Sequence, residues 1–327
     1  MQPTSFISID WGTTSLRARL VECNTLRIIS QVNNGKGIKE LHRNWQLQGG
    51  DKEAYLLNYL TKVIIELGNG LNANTIVVIS GMASATIGLR TLAYAALPFA
   101  LNGNDVVTAM WQPPNFPYKI LLISGVSSAN EVLRGEEVQV LGMQRPGFEG
   151  KAILYILPGT HSKHVYCKNG LMHHFTTFMT GELFDTIIKH TILSLSITKT
   201  LINKEGWSAF DAGVKVAQSN PSLLSTLFQI RINTLFDKLS PGENYYYLSG
   251  LLIGSELVTI NAAGIDELEL CANEEICAFY NRALVLLGFQ LLISTEGCLP
   301  PEVFVVRGQW QVIKHVLNNN KQHEPTI

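Results

Sequence analysis

The chain contains no run of about 18 apolar residues, the length a membrane-spanning helix needs. Its longest apolar stretch, near Ala283 to Ile293, is too short. The opening residues Met1-Gln2-Pro3-Thr4-Ser5 lack the cationic segment that begins a secretory leader. There is no basic stripe, and a net charge of −1 argues against nucleic acid as the main partner. Cysteine is sparse: Cys23, Cys167, Cys271, Cys277 and Cys298 form an odd set without a CxxC pair. Free thiols in a reducing cytoplasm fit that usage. No G-x-x-x-x-G-K-[ST] and no G-x-G-x-x-G occurs, so the P-loop and Rossmann readings lack their fingerprints. His42-Arg43-Asn44 is not a protein-kinase catalytic loop, because Asp is missing and no Gly-rich loop precedes it.

What is present is a large apolar inventory. Hydrophobic residues make up 46% of the 327 residues and charged residues 16%, enough for two domains of ordinary size. The first half alternates strands and helices. Apolar periodicity predicts strands over Phe6–Asp10, Leu16–Glu22, Leu26–Val32, Thr75–Ser80 and Lys119–Ser124, and a helix over Asp51–Leu67. Pro113, Pro114 and Pro117 mark a loop, and a helix capped by Asn130 is expected to run to Leu141. Arg145-Pro146-Gly147 breaks the pattern, which places a domain boundary there: residues 1–147 and 148–327. The second half restarts with strands Ala152–Leu157 and His164–Cys167. Helices then follow over about Gly181–Leu193, Ser208–Gln218, Leu223–Leu235, Tyr245–Ala263, Ile276–Leu287 and Gln309–Leu317. A polar, frayed tail is expected from Asn318.

The densest chemistry lies in I-D-W-G-T-T-S-L-R-A, from Ile9 to Ala18. A strand runs into Asp10, a glycine follows at Gly12, and Thr13, Thr14 and Ser15 place three hydroxyls at a turn before alternation resumes with Arg17 and Arg19 on one face. Glycine lets a ligand approach the main chain, and clustered hydroxyls and amides can cradle an anion. Asp10 would repel a phosphate directly, so its useful role is to hold a hydrated Mg²⁺ bridging phosphate oxygens. The bland alternative is a hairpin whose Asp and Thr residues only satisfy the turn. The whole D-W-G-T-T-S-x-R run favours phosphate binding, and it resembles the first phosphate motif of the sugar-kinase, hexokinase, Hsp70 and actin superfamily.

Two further segments carry candidates. Leu157 to Val165 reads L-P-G-T-H-S-K-H-V, a strand–turn–strand whose Gly159, Thr160 and Lys163 could form a second phosphate clamp. An ordinary proline turn is the plain alternative. Leu133 to Gly142 reads L-R-G-E-E-V-Q-V-L-G, with Glu136 and Glu137 adjacent. Neighbours on a helix point about 100° apart, so only one can enter a given cleft. One such carboxylate is what phosphoryl transfer to an alcohol requires, to position the hydroxyl and take its proton. A solvated Glu-Glu pair is the competing reading. His161, His164 and Cys167 suggest zinc, but strand alternation separates them and a fourth ligand is lacking.

These segments, with S-G-M-A-S (Ser80 to Ser84), F-M-T-G-E-L-F (Phe178 to Phe184) and Y-L-S-G-L-L-I-G-S-E-L (Tyr247 to Leu257), resemble the 2-dehydro-3-deoxygalactonokinase family, also called 2-keto-3-deoxygalactonate kinases. The resemblance implies an α/β fold of two ribonuclease-H-like, actin- or hexokinase-like domains with an interdomain cleft. It also implies transfer of the γ-phosphoryl of ATP to the terminal C6 hydroxyl of 2-dehydro-3-deoxy-D-galactonate, in galactonate degradation. By position, Asp10 would organise Mg²⁺, and Gly12, Thr13, Thr14, Arg17, Gly159, Thr160, Lys163, Gly250 and Gly254 would serve ATP and its phosphates. Glu136 matches the family's catalytic carboxylate, with Glu137 beside it. Arg134, Gly81, Met82, Thr180 and Glu182 would serve the sugar acid, Arg134 through its carboxylate. Expected partners are the sugar acid and ATP, with neither nucleic acid nor membrane, and with a homo-oligomer left open. Leu270 to Glu275, L-C-A-N-E-E, departs from the family's Gly-Ser or Gly-Thr pair beside adenine, and Ser162 replaces its Cys. A non-catalytic nucleotide or sugar-acid sensor of the same fold is the alternative that this departure favours.

Overall fold

The computed structural model describes residues 3–68, 71, 74–148, 150–220, 222–294 and 298–322. The chain divides into two compact units. The first comprises Met1–Glu149, Gly170–His174 and Pro301–Ile327, and the second Gly150–Asn169 and Phe175–Pro300. The first break falls two residues from the expected boundary, but the second unit does not run on to 327. The last helix, Pro301–Gln322, packs on the first unit, where Phe6 stacks on Trp310 with ring centroids 5.6 Å apart. This helix also overturns the expected frayed start of the tail, since it continues through Asn318 to Gln322.

In the first unit, β1 (Ser5–Trp11), β2 (Ser15–Glu22) and β3 (Ile28–Lys36) form an antiparallel meander, followed by α1 (Ile38–Gln48) and α2 (Lys52–Glu66). Then come β4 (Ile76–Gly81), β5 (Thr108–Trp111) and β6 (Lys119–Ile123). The sheet order is β3-β2-β1-β4-β6-β5, with β4 parallel to both β1 and β6. A meander whose first strand is continued by parallel strands is the ribonuclease-H-like arrangement. Phe6, Ile7, Ile9 and Trp11 are fully buried, so β1 is covered on both faces, as a central strand must be. The α2 helix starts where Asp51 accepts the Ala54 N–H at 2.8 Å, and it buries Leu56, Leu57, Leu60, Val63 and Ile64 at helical spacing.

The helix expected from Asn130 starts six residues late. Val132 and Leu133 pair antiparallel with Val126 and Ser127, and α3 spans only Glu136–Met143. Gly135, with φ at +115°, makes the turn between strand and helix, a conformation open to glycine and costly to other residues.

In the second unit, β7 (Ala152–Leu157) lies between β8 (Ser162–Lys168), antiparallel, and β9 (Glu267–Leu270), parallel. Its helices are α4 (Thr180–His190), α5 (Lys204–Ser219), α6 (Pro241–Leu257) and α7 (Glu274–Leu286). The single helix expected over Leu223–Leu235 is two short ones, Leu223–Leu227 and Gln229–Leu235. The α6 helix is buried nearly all round and crosses α5 closely. A Cβ on Gly250 would sit 2.0 Å from the Phe210 carbonyl oxygen, and one on Gly213 would sit 2.2 Å from that of Tyr247. Cys277 and Cys298 form a disulfide, where free thiols were expected, while Cys23, Cys167 and Cys271 are free and buried. Among the described residues, no helix is long and apolar enough to cross a membrane.

Candidate active site

In the first unit the candidate residues gather at the carboxyl ends of β1 and β4, the edge of a parallel pair where open α/β sheets bind ligands. Asp10 pairs in register with Ser80, and Trp11 with Gly81. Gly81 turns at φ +90°, and a Cβ there would lie 2.7 Å from the Trp11 carbonyl oxygen. Gly135 packs on Gly81, its would-be Cβ 3.4 Å from the Gly81 Cα. Two glycines thus bring the R-G-E-E turn against the strand end that carries Asp10. Beneath, Gln309 of the last helix donates to the Ile9 carbonyl oxygen and to Ser80 Oγ, both at 2.9 Å.

The hairpin tip is open. Thr13 and Thr14 are exposed, and Gly12 N–H closes the turn on the Ser15 carbonyl at 2.9 Å. The start of α1 holds it from behind, because Ile38 and Lys39 N–H groups donate to the Gly12 and Thr13 carbonyls at 3.1 Å. Arg17 does not reach the tip. Its guanidinium donates to the Asp10 carboxylate at 3.1 Å.

The two glutamates are unlike. Glu136 is half-buried and its Oε2 accepts the Arg134 N–H at 3.0 Å. Glu137 is 1% exposed, one oxygen accepts the Gly135 N–H at 2.7 Å, and the other has no hydrogen-bond partner among the described residues. Burial first, and then the neighbouring charge of Glu136, push its carboxyl up to about 8. Arg134 is held by two residues that sequence reading gave no role. Its NH1 donates to Ser84 Oγ at 2.6 Å, and its guanidinium lies over the Tyr94 ring, 4.2 Å from the centroid. Ser84 stands in the quoted S-G-M-A-S segment, so a signal existed. Nothing in the sequence marked Tyr94. Met82 packs into the core beside this turn.

The second unit carries a cavity of about 790 Å³. Gly159, Thr160, Thr180 and Gly181 line one part of it, and Trp207, Tyr245, Tyr246 and Phe279 another. Trp207 and Phe279 lie 5.0 Å apart between ring centroids. Gly181 lets the start of α4 close on the turn, since a Cβ there would sit 2.4 Å from the Gly159 carbonyl oxygen. Flat apolar walls beside glycine, threonine and a helix N-terminus suit a base joined to phosphates.

Several expected residues stand elsewhere. Gly250 and Gly254 do not line the cavity; they let α6 pack on α5, and Ser249, Leu252 and Ile253 face the cavity in their place. Lys163 is buried and donates to Thr177 Oγ1 at 3.0 Å, so it does not line the cavity either. Thr180 and Glu182 belong to the second unit with the Gly159 turn, whereas Arg134, Gly81 and Met82 belong to the first. Glu182 pairs with His161 on the surface, and His164 is buried against Glu256. In the departing segment, Ala272 is buried and Asn273 caps α7 by accepting the Ile276 N–H at 2.9 Å, so neither crowds the cavity; Glu275 does line it.

A ribonuclease-H-like sheet ending in a carboxylate, a hydroxyl-rich turn and an aromatic-walled cavity beside a second turn define a phosphotransferase of the sugar-kinase class. Comparison with known proteins narrows this. The chain belongs to the 2-keto-3-deoxy-galactonokinase family, whose profile matches residues 10–308. It is 27% identical over 290 residues to the 2-dehydro-3-deoxygalactonokinase of Escherichia coli K12, covering 86% of this chain and 90% of that one. It also resembles a crystal structure from Sinorhizobium meliloti, provisionally described as a 2-dehydro-3-deoxygalactonokinase. That match has a TM-score of 0.77 and 26% identity, over 95% of this chain and 99% of the other. The protein is thus a carbohydrate kinase, and the sensor alternative finds no support among its relatives.

Proposed function

We propose that the protein transfers the γ-phosphoryl group of ATP to the C6 hydroxyl of 2-dehydro-3-deoxy-D-galactonate, as a cytoplasmic step of galactonate degradation. The observation that carries this reading is the meeting of Asp10 with the Arg134–Glu136 turn through Gly81 and Gly135. Arg134 is held side-on by Ser84 and Tyr94 and grips the sugar-acid carboxylate, a pairing that a planar guanidinium makes with two hydrogen bonds. Glu136, the less buried of the two glutamates, accepts the proton of the C6 hydroxyl as that oxygen bonds to phosphorus and the bond from phosphorus to the ADP oxygen breaks. Glu137 stays protonated near neutral pH and shapes the turn from inside.

Gly12, Thr13 and Thr14 bind the phosphoryl group in transfer, and Gly159 and Thr160 bind the nucleotide phosphates, with the base between the cavity aromatics. A lone carboxylate at a strand end suits Mg²⁺, which prefers one or two carboxylates, phosphate oxygens and water to an all-protein cage. Asp10 is the residue that would hold it, and the ion would supply charge neutralisation at the phosphates.

The test is a coupled ADP-release assay against a panel of 2-keto-3-deoxy sugar acids and aldoses. Turnover should be highest with 2-keto-3-deoxygalactonate and absent with aldoses that lack a carboxylate. Comparable rates with neutral sugars would overturn the assignment of Arg134 and the substrate with it.

A further inference from the structure

The second unit contains a buried carboxylate that the scheme above does not use. Glu256, on α6, is 2% exposed, yet three side chains converge on it. Tyr280 donates its hydroxyl to one carboxylate oxygen at 2.9 Å, and the Thr180 hydroxyl donates to the same oxygen. His164 Nε2 lies 3.0 Å from the other. A carboxylate only accepts, so each of these groups must be the donor.

The consequence runs outward to the cavity. Tyr280 has one proton and spends it on Glu256, so its contact with Ser162 Oγ at 3.2 Å must be donated by the serine. Ser162 then has only lone pairs left, and these accept the Gly159 N–H at 3.4 Å. The buried charge therefore sets the direction of every bond from α6 and α7 to the Gly159 turn. The Thr180 branch does the same for the first residue of α4, and Glu182 N–H ties α4 to the Thr160 carbonyl at 2.9 Å. Burial and the charge of Glu256 hold the Tyr280 phenol well above its usual range, which keeps it a donor.

We propose that Glu256 is a positioning residue for the nucleotide phosphates: through Tyr280, Ser162 and Thr180 it fixes the Gly159–Thr160 turn and the start of α4 in the conformation that receives them. The inference rests on the reading of this cavity as the nucleotide site. It differs from a simple stability role because Trp207, Tyr245, Tyr246 and Phe279, the aromatic walls of the cavity, take no part in the hydrogen-bonded chain, which shares Tyr280 with the cavity lining. Phosphate binding and base binding should therefore separate.

The experiment is equilibrium binding of ATP and of adenosine to the wild type, Glu256→Gln and Ser162→Ala. An amide at 256 turns one acceptor into a donor that opposes its neighbours. Ser162→Ala cuts the chain without touching the buried charge, so it serves if the first variant folds poorly. The expected result is a rise in Kd for ATP of roughly 10-fold or more for Glu256→Gln, with a smaller rise for Ser162→Ala, and adenosine affinity within two-fold throughout. In turnover, KM for ATP should rise while KM for the sugar acid holds. Equal losses for ATP and adenosine, or none for either in folded variants, would overturn the positioning role while leaving the nucleotide site intact. A wild type that binds neither ligand would overturn the nucleotide reading itself.

Discussion

The two hairpins have the same sequence logic, strand, glycine, hydroxyl, strand, but they place charge differently. At the first, Asp10 is at the strand end and partly open to solvent, paired with Arg17. At the second, the turn itself offers neutral groups to the cavity (Gly159, Thr160, Thr180), with Lys163 and Glu256 buried behind it, while Lys199 and Glu275 line other parts of the cavity. The first arrangement can meet a metal ion and a reacting phosphoryl group, where a formal negative charge is needed. The second can hold phosphates already neutralised by metal, using oriented dipoles that cannot repel them. Similar turns thus take different tasks according to the depth at which the charge lies.

The comparison breaks most visibly at Asp10. Asp10→Asn should nearly abolish turnover with little change in melting temperature, because it removes a partly exposed charge and no core packing. Retention of near wild-type kcat at saturating Mg²⁺ would undo the assignment. Next comes the glutamate pair. Glu136→Ala should slow single-turnover phosphoryl transfer by roughly 100-fold or more with a modest change in KM, and Glu137→Ala should slow it less. A large loss confined to Glu137 would move the base one residue along.

A third measurement sharpens the substrate side. Arg134→Ala should raise KM for the keto acid by about 2–3 kcal/mol of binding and leave KM for ATP nearly unchanged; equal effects on both would make it a structural arginine. Gly250→Ala tests the second unit, since the new methyl meets the Phe210 carbonyl. It should cost on the order of 1–3 kcal/mol of stability by overpacking, read by denaturant unfolding, with ATP affinity of the folded fraction kept. A selective loss of ATP affinity would return Gly250 to the nucleotide site.

The smallest effect concerns pH. Glu137 titrates at about 8 when folded against an ordinary 4.5, so the folded state keeps a proton that the unfolded chain has released between those values. Stability from this group is full below about 4.5, falls as pH rises through the window, and levels off above 8. Melting temperature against pH should therefore slope less in Glu137→Gln than in the wild type across that range. Parallel curves would show that the carboxyl is not held protonated.

The strands of both hairpins and the helix over α2 were legible because apolar alternation and helical spacing report burial directly. Residues 130–135 misled because Asn130 resembles a helix cap, while Val132 and Leu133 are claimed by a strand partner that local pattern does not reveal. Glycine was the least legible residue. Gly81 and Gly135 bring site segments together, whereas Gly250 lies at the crossing of two helices, and nothing local separates these uses. The carboxylate–hydroxyl chain at Glu256 was invisible for a related reason: its members come from four elements far apart in sequence.

The placement of the last helix in the first unit has a consequence for biogenesis. Gln309 reaches back 300 residues to the Ile9 carbonyl under the Asp10 strand. The first unit therefore cannot finish its core until the helix Pro301–Gln322 has left the ribosome, whereas the second unit is complete in sequence at Pro300. The later segment can close first while the earlier one waits with an uncovered sheet face, an interval in which chaperone capture or strand mispairing is most dangerous. Nonsense mutations or proteolytic cuts that remove the helix Pro301–Gln322 should be as damaging as lesions in the first hairpin, although no residue of that helix is assigned to the chemistry.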